Sequence, residues 1–292
     1  MLSKPDRKPA WLKVAAPGGE VYTRVKSTIG SLRLHTVCQE ARCPNVGECW
    51  GAGTATVMLL GDTCTRGCRF CAVSSGHPAP PDPSEPAAVA DAVRELGLKY
   101  VVLTMVSRDD LPDGGAAHVA ETIRRLHERS PGLLVEALVG DFGGRGADIA
   151  TVLDAGPDVF AHNVEVVRRI TRQVRDARCT YDGSLQVLRI ARQRAANKLV
   201  KSSVMVGAGE TDDEVFETLA DLRAVGVDIV TVGQYLRPSG KHLPVARYVT
   251  PEQFERYERR GRAIGFAFVA SGPLLRSSYR AAEAFVRARS GG

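Results

Sequence analysis

The chain has 292 residues and a mass of 31.4 kDa, enough for one large domain or two small ones with a sizeable core. Hydrophobic residues at 44% and charged residues at 25% exclude a wholly disordered chain, and no apolar run approaches the roughly 18–20 residues of a membrane span. Lys and Arg number 39 against 33 Asp and Glu, and the resulting +6 raises nucleic acid as a partner class.

The first residues, MLSKPDRKPAWLK, contain two early prolines and no apolar signal-peptide core, so the expected setting is cytoplasmic. Up to Gly53 the chain is rich in Cys, Gly and Pro and reads as an extension draped over one end of the main domain. From residue 56, short β-branched runs alternate with helix-period segments about every 30 residues. Thr56–Leu60, Tyr100–Met105, Leu133–Leu138, Asp158–Ala161, Leu199–Val206 and Asp228–Val232 read as buried strands. Pro86–Leu96, Ala116–Arg129, Arg145–Ala155, Val164–Arg175, Ser184–Asn197 and Thr211–Val225 read as the intervening helices, with a further helix Pro251–Ile264 and a short strand Phe266–Ala270. Five of the sixteen prolines fall in His77–Pro86, an extended surface connection. Strand then helix, six times over, predicts parallel strands with right-handed crossovers: a partial (β/α)6 TIM-like barrel, with an open doubly wound sheet as the competing architecture. The expected units are an extension over 1–53, a barrel over 54–270, and a C-terminal segment over 271–292 that covers the barrel mouth.

Seven cysteines without a signal peptide point to a reducing compartment rather than a disulfide framework. Cys38, Cys43 and Cys49 are spaced C-x4-C-x5-C, and Cys64, Cys68 and Cys71 are spaced C-x3-C-x2-C. Structural zinc generally takes four protein ligands, whereas an iron–sulfur cube held by three thiolates keeps one iron open. Two zinc sites completed by His35 and His77 are the alternative, weakened by the lack of paired C-x2-C spacing. Cys179 stands alone and reads as a small thiol without function. In β/α barrels the chemistry sits at the C-terminal strand ends. Those ends carry GDTCTRGCRFC, SRDDLPDGG, GDFGGR, HNVE, GAGE and GQYLRP, a denser polar collection than helix capping needs.

The C-x3-C-x2-C loop after the first barrel strand, with Phe70 before its last cysteine, resembles the radical S-adenosylmethionine (SAM) enzymes. TVCQEARCPNVGECW, GDTCTRGCRFC, VGQYLRPSGKHLPV and a terminal RSSY, in that order, resemble the lipoyl synthase family within them. The resemblance runs from KPAWLKV through Tyr279. It implies two 4Fe–4S clusters and SAM, with Cys64, Cys68 and Cys71 holding the cluster that chelates SAM and generates a 5′-deoxyadenosyl radical. Cys38, Cys43 and Cys49 would hold an auxiliary cluster completed by Ser278 of RSSY, with Ser277 as runner-up. That cluster's sulfides would be inserted at carbons 6 and 8 of a protein-bound octanoyl chain. In the SAM pocket, Phe70 would pack on adenine, Asp113, Gly114 and Gly115 would meet the methionyl group, and Asn163 and Glu165 would bind ribose hydroxyls. Core packing for Phe70 and helix capping for Asn163 and Glu165 are the competing roles. Ser203, Ala208, Met105 and Gly140 depart from the residues usual in the family.

The implied partners are octanoylated carrier domains (a glycine-cleavage H protein or a dehydrogenase E2 subunit), a ferredoxin- or flavodoxin-type electron donor and an iron–sulfur carrier that rebuilds the cluster. No nucleic acid, membrane or second copy is expected. Other readings are a different radical SAM enzyme with an auxiliary cluster, or a basic zinc module on nucleic acid. The latter needs clustered cations interleaved with aromatics, and aromatics are only 6%. With three thiolates on each 2+ cluster, the charge falls from +6 to about +4, and a docking surface for acidic proteins explains it better than nucleic acid.

Overall fold

The computed structural model describes residues 8–13, 18–32, 34–40, 43, 45–51, 56–278, 285 and 289. Eight strands form one sheet: β1 (His35–Thr36), β2 (Thr56–Leu59), β3 (Tyr100–Met105), β4 (Leu134–Leu138), β5 (Val159–Ala161), β6 (Leu199–Val206), β7 (Ile229–Gln234) and β8 (Phe268–Gly272). Their spatial order is their chain order. From β2 to β8 every pairing is parallel, and β1 joins the β2 edge antiparallel, with Thr36 opposite Val57. Among the described residues β1 and β8 do not pair, so the sheet stays open along one side.

The helices are α1 (Glu20–Ser31), α2 (Glu85–Leu96), α3 (Ala116–Arg129), α4 (Gly146–Asp154), α5 (Tyr181–Arg194), α6 (Asp212–Ala224) and α7 (Pro251–Ala263). Their sequences mark their own ends: Gly97 takes a left-handed φ of 64° after α2, and Thr211 and Glu214 form a reciprocal capping box on α6. Alternation along the strands separates two interiors. Val101, Leu103, Val135, Phe160 and Val200 pack against the helices, with Val89, Val119 and Ile123. On the concave side, Tyr100, Val102 and Val159 gather around Phe285. No helix among the described residues is long and apolar enough to cross a membrane.

One element differs from the sequence expectation. The segment expected as a helix over Val164–Arg175 is a turn in which Glu165 takes φ 68°, followed by a 3₁₀ turn at Arg168–Ile170 and one helical turn at Thr171–Val174. The edge of β6 takes its backbone instead: Glu165 N–H donates to Ser203 O (3.2 Å) and Met205 N–H to Glu165 O (2.7 Å). Val164, Val166, Val167, Ile170 and Val174 are all buried, as they would be on one broad helical face, so their spacing alone does not tell this turn from a helix. The extension carries elements of its own. α1 packs on the short helix Val46–Gly51, with the Tyr22 and Trp50 rings 5.2 Å apart. Beyond Ser278 only Phe285 and Arg289 of the expected C-terminal segment are described, and Tyr279 of RSSY lies outside the described residues.

On the concave side the Lys201 ammonium donates to both Glu136 oxygens (2.8 and 2.9 Å), and Tyr100 Oη–H donates to Glu136 Oε2 (2.7 Å). Both charged side chains are almost wholly out of water. Removing one partner leaves a buried charge without compensation. Lys201→Met should therefore lower stability by about 3–5 kcal/mol, read from the urea midpoint, and the Glu136→Leu/Lys201→Met pair should recover most of that loss.

Candidate active site

The loop after β2 begins with strain that is held from both sides. Leu60 adopts φ 70°, its N–H donates to Glu85 Oε2 (2.8 Å), and its carbonyl accepts from Arg108 Nη1 (3.3 Å). Thr63–Cys64 then pairs with Ser74–Ser75, closing the loop that carries Cys64, Cys68 and Cys71. Backbone N–H groups point at two of its sulfurs. Cys64 Sγ accepts from Arg66 N (3.4 Å) and Ser107 N (3.3 Å), and Cys68 Sγ accepts from Asp176 N (3.3 Å). The loop is also tied to distant rim segments: Arg69 N–H donates to Val174 O (2.9 Å), Leu243 N–H to Arg69 O (3.0 Å), and the His242 ring bonds to Cys71 O (2.9 Å).

Arg66, between the first two cysteines of this loop, lies beneath the surface with its side chain only 6% exposed. Its guanidinium takes Asp109 through Nε (3.0 Å) and Nη2 (2.7 Å), and Asp141 through Nη1 (2.6 Å) and Nη2 (2.7 Å). Nη1 also donates to Cys179 Sγ (3.3 Å). Cys179 is thus a buried neighbour of the site, sharing a thiol hydrogen bond with Cys68 and facing Arg175 and Arg66, which favour its thiolate. Burial pushes the Asp141 carboxyl up, but hydrogen bonds and charge from Arg66, with the Gly143 N–H, outweigh it and hold the group at about 2.

The second triplet is built differently. Cys38 sits buried in the single turn Val37–Glu40 after β1, and Cys43 N–H donates to Cys38 O (3.1 Å). Cys49 lies in the helix Val46–Gly51, and its N–H donates to Asn45 O (2.9 Å). Burial, with the neighbouring Cys43 adding to it, raises Cys38, and burial, then Cys38, Cys43 and Glu48, push Cys49 up to about 12. The buried Trp50 Nε1–H has no partner within bonding distance and lies beside Cys38, where it favours the thiolate. Asn45 Nδ2 donates to Leu274 O (2.6 Å), which draws the C-terminal segment onto this loop. Arg276 follows Leu275, half-buried and within electrostatic reach of Cys43, and then Ser277 and Ser278, both also half-buried. A side chain at Gly233, near the end of β7, would place its Cβ 2.2 Å from Leu275 O, so glycine there lets the segment cross the sheet end.

Around the rim, the remaining expected residues divide. Asn163 and Glu165 start no helix, which removes the capping role. Asn163 Nδ2 donates to Glu165 Oε1 (3.1 Å), and the half-buried Glu165 carboxyl, raised by desolvation, stands near Cys71. Phe70 is half-buried at the edge of the main core. Asp113 caps α3, accepting from Gly115 N (2.9 Å) and Ala117 N (2.8 Å). Gly114 lines a cleft with Arg66, Ser107 and Gly140, while a Cβ at Gly115 would lie 2.4 Å from Leu60 Cδ1. His162 bonds Val139 O (2.8 Å) and Ser184 Oγ (3.0 Å), and burial lowers it to about 4, which makes it a neutral structural group. Glu210 is spent holding the Gly207 and Ala208 N–H groups, and Gln234 bonds four backbone groups. Among the described residues no three His, Cys, Asp or Glu converge as ligands of one metal ion. Arg66, Arg175 and Asn45 escape the sequence reading. The one available signal is a charged residue placed between cluster-type cysteines.

Residues 58–222 match the model of the radical SAM superfamily, and residues 3–43 match that of the N-terminal domain of lipoyl synthase. A lipoyl synthase of Sorangium cellulosum is 62% identical over 96% of this chain and 79% of its own length. One from Thermus thermophilus is 57% identical, covering 96% of this chain and 87% of that protein. The chain belongs to the lipoyl synthase family of radical SAM enzymes. Methylornithine synthase aligns with a TM-score of 0.55 at 16% identity over 89% of this chain and 85% of its own. The hydrogenase maturase HydG aligns at 0.53 and 14% over 74% and 56%. At these identities the likeness extends to the fold, an α/β partial barrel.

Membership in the lipoyl synthase family brings SAM and 4Fe–4S clusters as cofactors, and the donor sets fit them. Soft thiols in threes, N–H groups aimed at sulfur, and a buried indole N–H without a partner are what cluster sulfur accommodates. Burial raises the Cys71 thiol to about 11 and Cys49 to about 12, so a cationic centre is what makes them thiolates.

The Arg66 clamp has a pH signature. Because Asp141 is depressed below its ordinary value, the stability it contributes is present above pH ~4 and is lost as pH falls through about 2. Urea unfolding of the parent should weaken across that window, and Asp141→Asn should flatten the dependence. Arg66→Met, which leaves the buried Asp141 carboxylate without its cation, should cost about 3–5 kcal/mol and reduce the iron retained on purification.

Proposed function

We propose that this chain inserts two sulfur atoms, at carbons 6 and 8, into an octanoyl group carried on a protein lysine, forming the lipoyl group. The observation that supports it most directly is the Asn45–Leu274 hydrogen bond. It brings Leu274, two residues before Arg276, onto the loop of a second cysteine triplet, separate from the triplet on the barrel loop. In this reading Cys64, Cys68 and Cys71 hold the SAM-chelating cluster. Cys38, Cys43, Cys49 and Ser278, with Ser277 as the alternative, hold the auxiliary cluster that donates sulfur. When bound, the reduced cluster and SAM supply a primary alkyl radical, the reagent an unactivated methylene requires because it has no acidic proton to remove.

The chain's own residues position and shield. Arg66 holds the cluster loop against the β3 and β4 ends through Asp109 and Asp141. Asn163 and Glu165 bind the ribose hydroxyls, Phe70 packs on the adenine, and Asp113, Gly114 and Gly115 offer backbone to the methionyl group. Serine oxygen is a harder and weaker partner for iron than thiolate, which suits a cluster consumed as its sulfides leave. The units are the extension over 1–53, the barrel over 54–270, and a segment over 271–292 that covers the mouth. Octanoylated carrier domains, a ferredoxin- or flavodoxin-type donor and an iron–sulfur carrier are the partners of a monomer working in the cytoplasm.

Anaerobically purified protein should contain about eight iron and eight sulfide per chain, two cubes' worth. With SAM, dithionite and an octanoyl-lysyl peptide, mass spectrometry should find 5′-deoxyadenosine and a peptide carrying two sulfurs. Cys43→Ala should keep deoxyadenosine formation and lose the sulfur product, whereas Cys68→Ala should lose both. Deoxyadenosine without any sulfur product from the parent would move the chain to another radical SAM chemistry.

A further inference from the structure

Most rim arginines are neutralised where they stand. Arg66 has Asp109 and Asp141, Arg108 has Asp110, Arg178 has Asp176, and Arg169 has Glu214. Among the described residues no carboxylate pairs with Arg175, which is buried, with the half-buried Arg276, or with the four cations Arg69, Arg172, Arg237 and Lys241. These four are neighbours. Arg69 lies between cluster-loop cysteines Cys68 and Cys71, and its Nη1 donates to the carbonyl of Gln173, next to Arg172 (3.0 Å). Its own carbonyl accepts from Leu243 N (3.0 Å), two residues past Lys241. Arg237 Nε donates to His242 O (2.8 Å), and Arg69 and Arg237 both act on the Tyr235 hydroxyl. Arg69, Arg172 and Lys241 are exposed, as is Gly67 on the same loop. Asp176, which bonds the same loop, is already engaged by Arg178 and the Gly67 N–H.

We propose that Arg69, Arg172, Arg237 and Lys241 form the docking face for an acidic one-electron donor protein. The inference rests on the assignment of Cys64, Cys68 and Cys71 to the reducible cluster. One electron leaves the donor, which is oxidised by that electron, and enters the cluster, which is reduced by it; no atom or proton is transferred. Placement of the unpaired charge on the surface span between two cluster ligands favours the donor over an acyl carrier. An electron has only to reach the cluster, whereas an acyl chain must enter between the strand ends, on the side where Leu275 crosses Gly233. Unpaired rim charge chiefly speeds encounter and is screened by salt.

The test uses holoenzyme and an acidic flavodoxin as the probe, with affinity measured by surface plasmon resonance at low and high salt. Arg172→Glu/Lys241→Glu should weaken binding about tenfold or more at low salt and remove most of its salt dependence. Arg189→Glu/Arg194→Glu changes the net charge equally but lies on the later turns of α5, which run away from the rim, and should bind as the parent does. Dithionite should bleach the iron–sulfur absorbance of all three proteins alike. Equal weakening by both pairs, or none by the rim pair, overturns the proposal. So does a rim pair that keeps flavodoxin affinity and loses affinity for an octanoylated acidic carrier domain. A parent whose absorbance ignores dithionite would instead sink the cluster assignment itself, and the docking face with it.

Discussion

The buried guanidinium of Arg66 is the constraint on which the rim depends. Four of the five donors in its planar fork meet two carboxylates that belong to different strand ends, Asp109 after β3 and Asp141 after β4. A loop as short as Cys64–Cys71 makes little core of its own, so its shape has to be imposed from outside. The clamp does that at one end, and the bonds from Val174, Leu243 and His242 do it at the other. The same fork bonds Cys179, which turns an apparently idle thiol into part of the packing around Cys68. Burying such a charge is tolerable only because nearly every donor is used.

The second constraint is backbone space. Gly233 has no side chain, so the carbonyl of Leu275 can lie against the end of β7, and Asn45 can bond Leu274 from the opposite side. Two stretches more than 200 residues apart in the chain, the auxiliary loop and RSSY, meet through that contact. In the proposed function this gives the sacrificial cluster its own support, independent of the barrel loop. Release of the C-terminal segment then need not disturb Cys64, Cys68 or Cys71.

Much of the architecture is legible in the sequence. β3 and β6 run where the β-branched runs place them, and α3 spans Ala116–Arg129 as its periodicity indicates. The sequence reading fails over Val164–Arg175, where valines at a mixed spacing imitate one helical face. The backbone there is claimed by β6, a non-local pairing that no local pattern reveals. β1, in the extension, has no local signal for a related reason: it exists only because the exposed edge of β2 offers it partners.

Chemical identity, then, resides in the sequence. Two cysteine triplets at short spacing and a terminal RSSY are local patterns, and local spacing is what decides which loop can wrap a cluster. The tertiary structure decides how those loops are held and what surrounds them: Arg66 between two aspartates, Glu165 in a left-handed turn beside Cys71, Asn45 on Leu274, and four unpaired cations on one face. Each of these joins residues far apart in the chain, through charge pairing and backbone hydrogen bonds that form only once the strands are in register.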